Sequence, residues 1–506
     1  MSPDSTANWT PRELEIVRGL AEGLTNRVIA DRLGLAIETV RWYNKRLFDR
    51  LGVSTRAEAA IRARTLGLLD REAVRERPAV AWSPIAFVNR DGCTIAYQIV
   101  GSGPIDVLFV HGFLSHLEVA LDQPEYVSFF ETLAQHARVI IFDKRGTGLS
   151  DRSTGAPSVE ETIGDMCAVL DAIGVRRAVV VGTSEGGAAA VLFASMHRAR
   201  THALVLIAAT ARVARLGAAP TWSQPMALLE ASIVNWRNQW GQATALERFA
   251  PSREHDPAFR VWWARALRTA SSPASIRAVI EVAARVDIRA ILGEVPVRAL
   301  VVHRTHDQIV SVEAGRYLAT KLPNARWVEL PGADHIYFVD GHEILREMIP
   351  FIGAVSSGDV VPSPPESWLA IMMQMSGTGA LLTSDTRAML AQHSARSLHE
   401  FDDGWTVLFE SSDRALSCAR AFAARGRGRA GAIGLHVGEC RVDNGRPQAA
   451  ARAVLDQLTR HAPAGQIALS TTLYDIVNGV PLSVTPRIGS SDHQEAGAVD
   501  AWVLRD

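Results

Sequence analysis

Residues 178–187 read AVVVGTSEGG, and this stretch decides the fold of the largest part of the chain. The apolar run Ala178–Val181 has the length and the β-branched content of a buried strand. It leads directly into Gly182-Thr183-Ser184-Glu185-Gly186, a G-x-S-x-G pattern. Where a strand turns sharply into a helix, glycines are needed because side chains would collide with neighbouring backbone, and the turn lifts the serine hydroxyl above the sheet. The sequence therefore predicts a nucleophile at Ser184.

Short apolar runs alternate with helical stretches on both sides of this motif. Such alternation predicts a mainly parallel sheet that is covered by helices on both faces. The other predicted strands are Val107–Val110, Val139–Phe142, Ala203–Ile207 and Val297–Val302, and Val159–Ile173 is one of the helices between them.

A serine hydroxyl needs a general base, and the base needs a carboxylate that fixes its tautomer. Asp307 follows the strand Val297–Val302, and His335 follows the short apolar stretch Trp327–Leu330. From the residues alone, other candidates remain open for both roles. They are the imidazoles of His303 and His306 and the carboxylate of Asp334.

The order Ser184, Asp307, His335 is that of the α/β-hydrolases, and residues 85–352 resemble this superfamily throughout. The stretch Asp143–Asp151 is similar to its D-x-R-G-x-G-x-S loop. The resemblance implies a serine hydrolase of the esterase type, whose oxyanion is bound by the backbone N–H groups of Phe113 and Glu185. We expect it to act without a metal or a cofactor.

Residues 212–292 form a helical insertion that resembles the cap of this superfamily. Five tryptophans within it either line an apolar ligand pocket or form the core between cap helices, and both readings stay open. They are Trp222, Trp236, Trp240, Trp262 and Trp263.

Residues 8–69 are predicted to form an all-α helix-turn-helix domain. Thr10, Pro11 and Glu13 provide an N-cap, a proline at the first helical position and a capping-box carboxylate. Glycines separate the helices that follow, which we place at Asn26–Leu33, Ile37–Leu51 and Thr55–Leu66.

The run from Thr10 to Ala59 resembles a LuxR/GerE-type DNA-binding domain across its full length. In that family the helix that begins near Thr39 enters the major groove of DNA, where arginine and asparagine read base edges and lysine mainly holds phosphate. The resemblance therefore implies that DNA is a partner and that five residues face it. They are Thr39, Arg41, Tyr43, Asn44 and Lys45.

Residues 366–506 are predicted to form an α+β domain that resembles class III nucleotidyl cyclase domains. The resemblance rests on Ala430–Tyr474 and on the hairpin that begins at Phe401. Cyclases hold two metal ions with two aspartates, of which Asp403 matches one, but Gln374 stands where the other is expected. We therefore expect a degenerate domain without cyclase activity, and pairing in that family implies a homodimer.

The composition of the whole chain is that of an ordinary globular protein. It has 506 residues, a formal net charge of −1 and four cysteines without a C-x-x-C pair, which argues against a zinc site or a disulfide framework. We expect a cytoplasmic protein that does not enter a membrane. The three segments together predict a LuxR-type transcription regulator with a small apolar ligand or ester substrate. The alternative is a serine esterase that acts mainly as an enzyme.

Overall fold

The computed structural model divides the chain into two compact units, Met1–Val80 and Ala81–Asp506. The second unit contains both of the C-terminal domains that the sequence predicts. The residues that the structure describes are 9–21, 24, 26–53, 55, 58–59, 62–63, 68, 80–152, 157–215, 220–356, 367–377, 382–409, 412–425, 431–441, 446–463, 465–477, 484–487 and 501–504.

The N-terminal unit contains three described helices, α1 (Pro11–Ala21), α2 (Asn26–Leu33) and α3 (Ile37–Leu51). Helix α1 begins with the predicted capping box, because the Thr10 N–H donates to Glu13 Oε2 at 2.9 Å and the Glu13 N–H donates to Thr10 Oγ1 at 3.2 Å. Gly52 ends α3 in the left-handed conformation, with φ 66°. Most of the fourth predicted helix, 55–66, lies outside the described residues.

The second unit is built first on an eight-stranded sheet with strand order β1-β2-β4-β3-β5-β6-β9-β10. Strands β3, β4, β5, β6, β9 and β10 pair in parallel, and β1 and β2, at one end of the sheet, pair antiparallel. The predicted mainly parallel sheet is therefore confirmed. Its strands are β1 (Ala86–Arg90), β2 (Cys93–Val100), β3 (Asp106–Val110), β4 (Arg138–Phe142), β5 (Ala178–Thr183), β6 (Thr201–Ile207), β9 (Ala299–Arg304) and β10 (Ala325–Leu330). Two short strands, β7 (Ala214–Arg215) and β8 (Gln224–Pro225), pair with each other in a separate sheet.

Helices cover this sheet, and four of them, α8 to α11, lie within the insertion that was predicted to form a cap. The helix that follows the G-x-S-x-G turn, α7, is buried along its whole length. The helices are α4 (Leu117–Ala120), α5 (Pro124–Ala134), α6 (Val159–Ala172), α7 (Gly186–Met196), α8 (Met226–Asn238), α9 (Leu246–Phe249), α10 (Pro257–Ala270), α11 (Pro273–Arg285), α12 (Val312–Lys321) and α13 (His342–Ser356). None of the described helices combines the length and the apolar character that a membrane span requires.

The C-terminal part is a seven-stranded sheet with helices, as an α+β chain should be, in the order β12-β13-β11-β14-β15-β17-β16. Helix α7 contacts β11, and the two parts share one hydrophobic core that includes Phe193 and Ile371. The elements are β11 (Ser367–Ser376), α14 (Ser384–Gln392), β12 (Arg396–Phe401), β13 (Gly404–Phe409), α15 (Ser412–Arg425), β14 (Ala432–Arg441), α16 (Ala449–His461), β15 (Ile467–Ser470), α17 (Thr471–Val477), β16 (Val484–Arg487) and β17 (Ala501–Leu504).

Gln374, at the position where a cyclase would carry its first aspartate, is fully buried on β11. Its Nε2 donates to Asp456 Oδ1 at 2.8 Å, and its Oε1 accepts from Thr406 Oγ1 at 3.2 Å. Arg452 donates to the same Asp456 oxygen and stacks 3.8 Å from the Phe401 ring centroid. These side chains satisfy one another, and the likeness of this domain to cyclases stays a prediction.

Candidate active site

Ser184 lies in a strained turn between β5 and α7, with a positive φ of 53°. The glycines around it are required by close packing. A Cβ on Gly182 would lie 2.7 Å from the Gly187 Cα, and one on Gly186 would lie 2.4 Å from the His111 carbonyl oxygen. The Ser184 N–H is held by the Ile207 carbonyl at 3.0 Å. Strand, turn and helix therefore fix the serine as the sequence motif predicts.

A chain of two hydrogen bonds joins the three predicted residues. His335 Nε2 lies 2.9 Å from Ser184 Oγ, and His335 Nδ1 lies 2.7 Å from Asp307 Oδ2. Asp307 and His335 are buried. In this arrangement the carboxylate fixes the imidazole with Nε2 facing the hydroxyl, which lets it accept the serine proton.

Asp307 is held in its charged form by several donors. Its Oδ1 accepts the backbone N–H groups of Ile309 at 2.8 Å and Val310 at 3.0 Å. Burial alone would raise the pKa of Asp307, but His335 and His303 together outweigh burial and hold that pKa well below its ordinary value. The side chain is therefore a carboxylate at any pH at which the imidazole can act as a base.

The alternative candidates occupy other positions. His306 is exposed. Asp334 Oδ1 accepts the Ser252 N–H at 2.9 Å, away from the imidazole. His303 Nε2 lies 3.5 Å from Asp307 Oδ2, the oxygen that also contacts His335, and 2.9 Å from the Val310 carbonyl, so it supports the carboxylate without facing the serine.

The loop that carries His335 is held by a buried arginine that the sequence analysis did not single out. Arg304, at the end of β9, donates to the carbonyls of Asp334 at 2.7 Å and Ile336 at 3.1 Å, and also to that of Val339. The His335 N–H itself donates to the Phe249 carbonyl at 2.8 Å, from the insertion. The only indication of this role in the sequence was that Arg304 lies three residues before Asp307.

The predicted oxyanion donors flank the serine. Gly112, which precedes Phe113, packs directly on the turn, since a Cβ there would lie 3.2 Å from Ser184 Cβ. Within the described part of the chain, neither the Phe113 N–H nor the Glu185 N–H donates a hydrogen bond to the protein. Both groups are therefore available to a negative oxygen that forms beside Ser184.

Two apolar cavities border Ser184. The larger has a volume of about 120 Å³, and Trp262, Trp263 and Phe338 are among the side chains that line it. The smaller has about 70 Å³ and is lined in part by Trp236. Phe113 and Phe249 border both cavities, so a substrate carbonyl at Ser184 can have an apolar group on each side.

Three of the five tryptophans of the insertion thus line a cavity. The other two serve packing: Trp240 Nε1 donates to the Ser271 carbonyl at 3.1 Å, and Trp222 packs on Tyr317.

A buried aromatic network supports the floor of the larger cavity. His111 lies between two tyrosine hydroxyls, with Tyr337 Oη 3.2 Å from Nδ1 and Tyr126 Oη 3.4 Å from Nε2. Burial, with the nearby charge of Lys144, lowers the pKa of His111 to about 3, so its ring is neutral.

The predicted DNA-facing residues of α3 do not all share one face. Arg41 and Lys45 are exposed, whereas Thr39 and Tyr43 are half-buried. Asn44 does not lie on the predicted DNA-facing surface. Its side chain is only 8% exposed, and its Nδ2 donates to Asn26 Oδ1 at 2.8 Å.

The exposed face of α3 carries two further residues that the sequence analysis did not select. Trp42 is 52% exposed, and the Arg46 guanidinium lies 4.6 Å from the centroid of its ring.

Comparisons with known proteins support the predicted helix-turn-helix domain and the predicted hydrolase domain. A family model described as "alpha/beta hydrolase fold" matches residues 107–342, and one described as "Bacterial regulatory proteins, luxR family" matches residues 7–63. The chain is 30% identical over 259 residues, 49% of this chain, to a pimeloyl-acyl-carrier-protein methyl ester esterase of Chromobacterium violaceum, of which it covers 92%.

The N-terminal region has its own relative. It is 44% identical over 59 residues, 12% of this chain, to the probable transcriptional regulatory protein SgaR of Hyphomicrobium methylovorum, and the match covers 28% of that protein. Among solved structures, the enol-lactonase of Burkholderia xenovorans LB400 aligns with a TM-score of 0.44 and 24% identity over 54% of this chain and 100% of the lactonase.

The chain therefore belongs to the α/β-hydrolase family, and a regulator domain of the luxR family is fused to the N-terminal side of its hydrolase domain.

Proposed function

We propose that the chain is a DNA-binding transcription regulator whose hydrolase domain binds and hydrolyses a small apolar ester. The observation that carries the hydrolytic part is the continuous hydrogen-bond chain from Ser184 through His335 to Asp307. A site that only bound a ligand would not need the serine, the histidine and the aspartate joined by hydrogen bonds in this order.

The reaction follows from the positions of these groups. Ser184 Oγ attacks the ester carbonyl while His335 Nε2 takes its proton, and Asp307 stabilises the imidazolium that forms. The carbonyl oxygen becomes negative and is bound by the N–H groups of Phe113 and Glu185. His335 then protonates the departing alcohol, and water releases the acyl group by the same steps in reverse order.

The walls of the two cavities favour an uncharged substrate. Aromatic and aliphatic side chains dominate around Ser184, and such walls bind apolar groups with a few polar contacts for orientation. The ester bond between an apolar acyl group and an apolar alcohol would place one group in each cavity.

Labelling with a fluorophosphonate probe tests the hydrolytic part. We expect the full chain to be labelled and the Ser184→Ala variant to remain unlabelled. Ser195→Ala is a matched control, since Ser195 lies on α7, the helix that follows the Ser184 turn, but donates to the Leu192 carbonyl at 2.9 Å. A folded parent protein that does not react, beside a serine esterase that does, would refute hydrolysis and leave a ligand-binding domain.

DNA binding is proposed for the exposed face of α3. Arg41 and Lys45 lie four residues apart and both are exposed, which suits contacts to base edges and phosphates along one groove. A homodimer would present two such helices to paired half-sites. Selection of bound sequences from random DNA, followed by sedimentation of the complex, tests both points, and one protein molecule per bound site would refute the dimer.

The alternative is an enzyme in which the N-terminal domain serves another purpose. The two cavities that meet at a complete set of Ser, His and Asp favour this reading. The two functions are separated by measuring DNA affinity of Ser184→Ala with and without a slowly hydrolysed ester analogue. A change in affinity supports the regulator, and an unchanged affinity supports the enzyme.

A further inference from the structure

A buried ion pair lies immediately behind the proposed oxyanion site. Lys144 Nζ donates to Glu185 Oε1, and the two side chains are 9% and 14% exposed. Glu185 directly follows the serine and its N–H is one of the two proposed oxyanion donors. The pair is therefore part of the turn that carries the reacting atom.

The second oxygen of this carboxylate has no partner of its own. Glu185 Oε2 is buried and accepts no hydrogen bond from any described residue. It packs on the oxyanion loop, since a Cβ on Gly112 would lie 3.3 Å from it. The carboxylate thus sits beside the peptide that supplies the Phe113 N–H, and its Oε2 is shielded from solvent.

A negative charge at this position opposes the reaction. The oxyanion that forms on the substrate is itself negative, and in a water-excluded site two like charges repel far more strongly than in bulk water. Lys144 neutralises the carboxylate and so cancels that repulsion. Among the described residues, its ammonium is the only cation that forms an ion pair with Glu185.

Lys144 is held where this task requires it. It lies two residues after β4, and because β3 lies between β4 and β5, its side chain spans the end of β3 to reach Glu185, two residues after β5. Its carbonyl accepts Thr147 Oγ1 at 2.7 Å, and its neighbour Arg145 is tied to Asp165 by a bond of 2.8 Å. The backbone on both sides of the lysine is therefore fixed.

We propose that Lys144 is a positioning residue for hydrolysis, which neutralises and holds the Glu185 carboxylate so that the neighbouring N–H groups can receive an oxyanion. This inference rests on the proposed hydrolytic function. It assigns Lys144 no contact with the substrate, and its whole effect is exerted through Glu185.

The test is a cycle of Lys144→Met, Glu185→Gln and the double variant, each in the full chain. The rate of fluorophosphonate labelling is measured, and thermal melting checks folding. We expect Lys144→Met to slow labelling by about tenfold to a hundredfold, because an unpaired buried charge is left beside the oxyanion. In the Glu185→Gln background the same change should alter the rate by less than about threefold. Lys321→Met, on the exposed end of α12, controls for loss of a lysine.

Each result decides the question. Lys144→Met that labels as fast as the parent overturns the inference, and so does a double variant that labels tenfold slower than Glu185→Gln. The second comparison remains decisive if Lys144→Met alone fails to fold, since the double variant buries no unpaired charge. A parent protein that does not label at all refutes the hydrolytic function itself, and this outcome differs from the other two.

Discussion

Replacement of Glu160 by glutamine should raise the free energy of unfolding at high pH, because Glu160 is a buried carboxyl group at the contact between the hydrolase domain and the C-terminal part. Glu160, on α6, is 3% exposed, and its Oε1 accepts Ser412 Oγ from α15 at 2.9 Å. Its other oxygen, Oε2, is buried and has no partner in the described part of the chain. Burial, with the nearby charge of Asp413, raises the pKa of Glu160 from 4.5 to about 7.

The magnitude and its sign follow from linkage. A shift from 4.5 to about 7 corresponds to about 3 kcal/mol at about 1.4 kcal/mol per pKa unit. The folded state holds this proton more tightly than the unfolded state does. Folding of the parent is therefore disfavoured above about pH 7, where the group is charged in both states, and the penalty falls with the pH and disappears below the unfolded pKa of 4.5. Glutamine keeps the acceptor for Ser412 but carries no charge.

Urea unfolding of the full chain, followed in the transition of residues 81–506, measures the effect. We expect Glu160→Gln to be more stable than the parent by about 3 kcal/mol at about pH 8.5 and nearly equal to it at about pH 4. Glu230→Gln, on the exposed face of α8, controls for the chemistry of the substitution. A stability difference for Glu160→Gln that is the same at both pH values would show that Glu160 is not protonated in the folded state.

Three further predictions concern other positions. Asp307→Asn should lower ester turnover by about three to four orders of magnitude with little change in KM, because the imidazole loses the partner that fixes its tautomer, and steady-state kinetics measure this. Arg304→Met should destabilise the hydrolase unit by about 3 kcal/mol or more, because the carbonyls it holds around His335 lose their donor, and an unchanged melting temperature would contradict that role. Asn44→Ala should weaken the N-terminal unit by about 1–2 kcal/mol, whereas Lys45→Ala should leave its stability unchanged and reduce the salt dependence of DNA binding by about one ion, as titrations at several salt concentrations would show.

The residues around Ser184 were predictable because their geometry is local. A strand, a glycine turn and a helix are encoded within the ten residues 178–187, and the structure places β5, the positive φ of Ser184 and α7 there. Asp307 and His335 were predictable for a related reason, since each follows a strand that ends at the same edge of the sheet. The distances between the three side chains could not come from the sequence, because they depend on the strand order.

Lys144 and Arg304 were missed because each acts across the sheet. Nothing in the neighbourhood of Lys144 in the sequence indicates Glu185, 41 residues later. The contact exists because β3 lies between β4 and β5. A buried cation of this kind is found only when the strand order brings its carboxylate or carbonyl partners within reach.

Asn44 is different, because the sequence did contain the signal. Val40, Asn44, Leu47 and Leu51 are the buried residues of α3 and recur at intervals of four, three and four, which is one stripe of a helix. The polar character of asparagine and the resemblance to a DNA-binding family outweighed this periodicity in the sequence analysis. In the structure the amide instead pairs with Asn26 at the contact between α2 and α3.

The sequence of α7 likewise explains why the C-terminal part is not a separate unit. The sequence of α7, GGAAAVLFASM, has no charged residue on any side, and a helix that is apolar all round must be covered all round. The strands β5 and β6 cover one side of α7, and β11 contacts it as well. Because Glu185 is the N-cap of this helix and directly follows Ser184, the packing of the C-terminal sheet bears on the element that positions the proposed nucleophile. The physical requirement to bury α7 thus links the C-terminal residues to the candidate active site without any contact between them and the substrate.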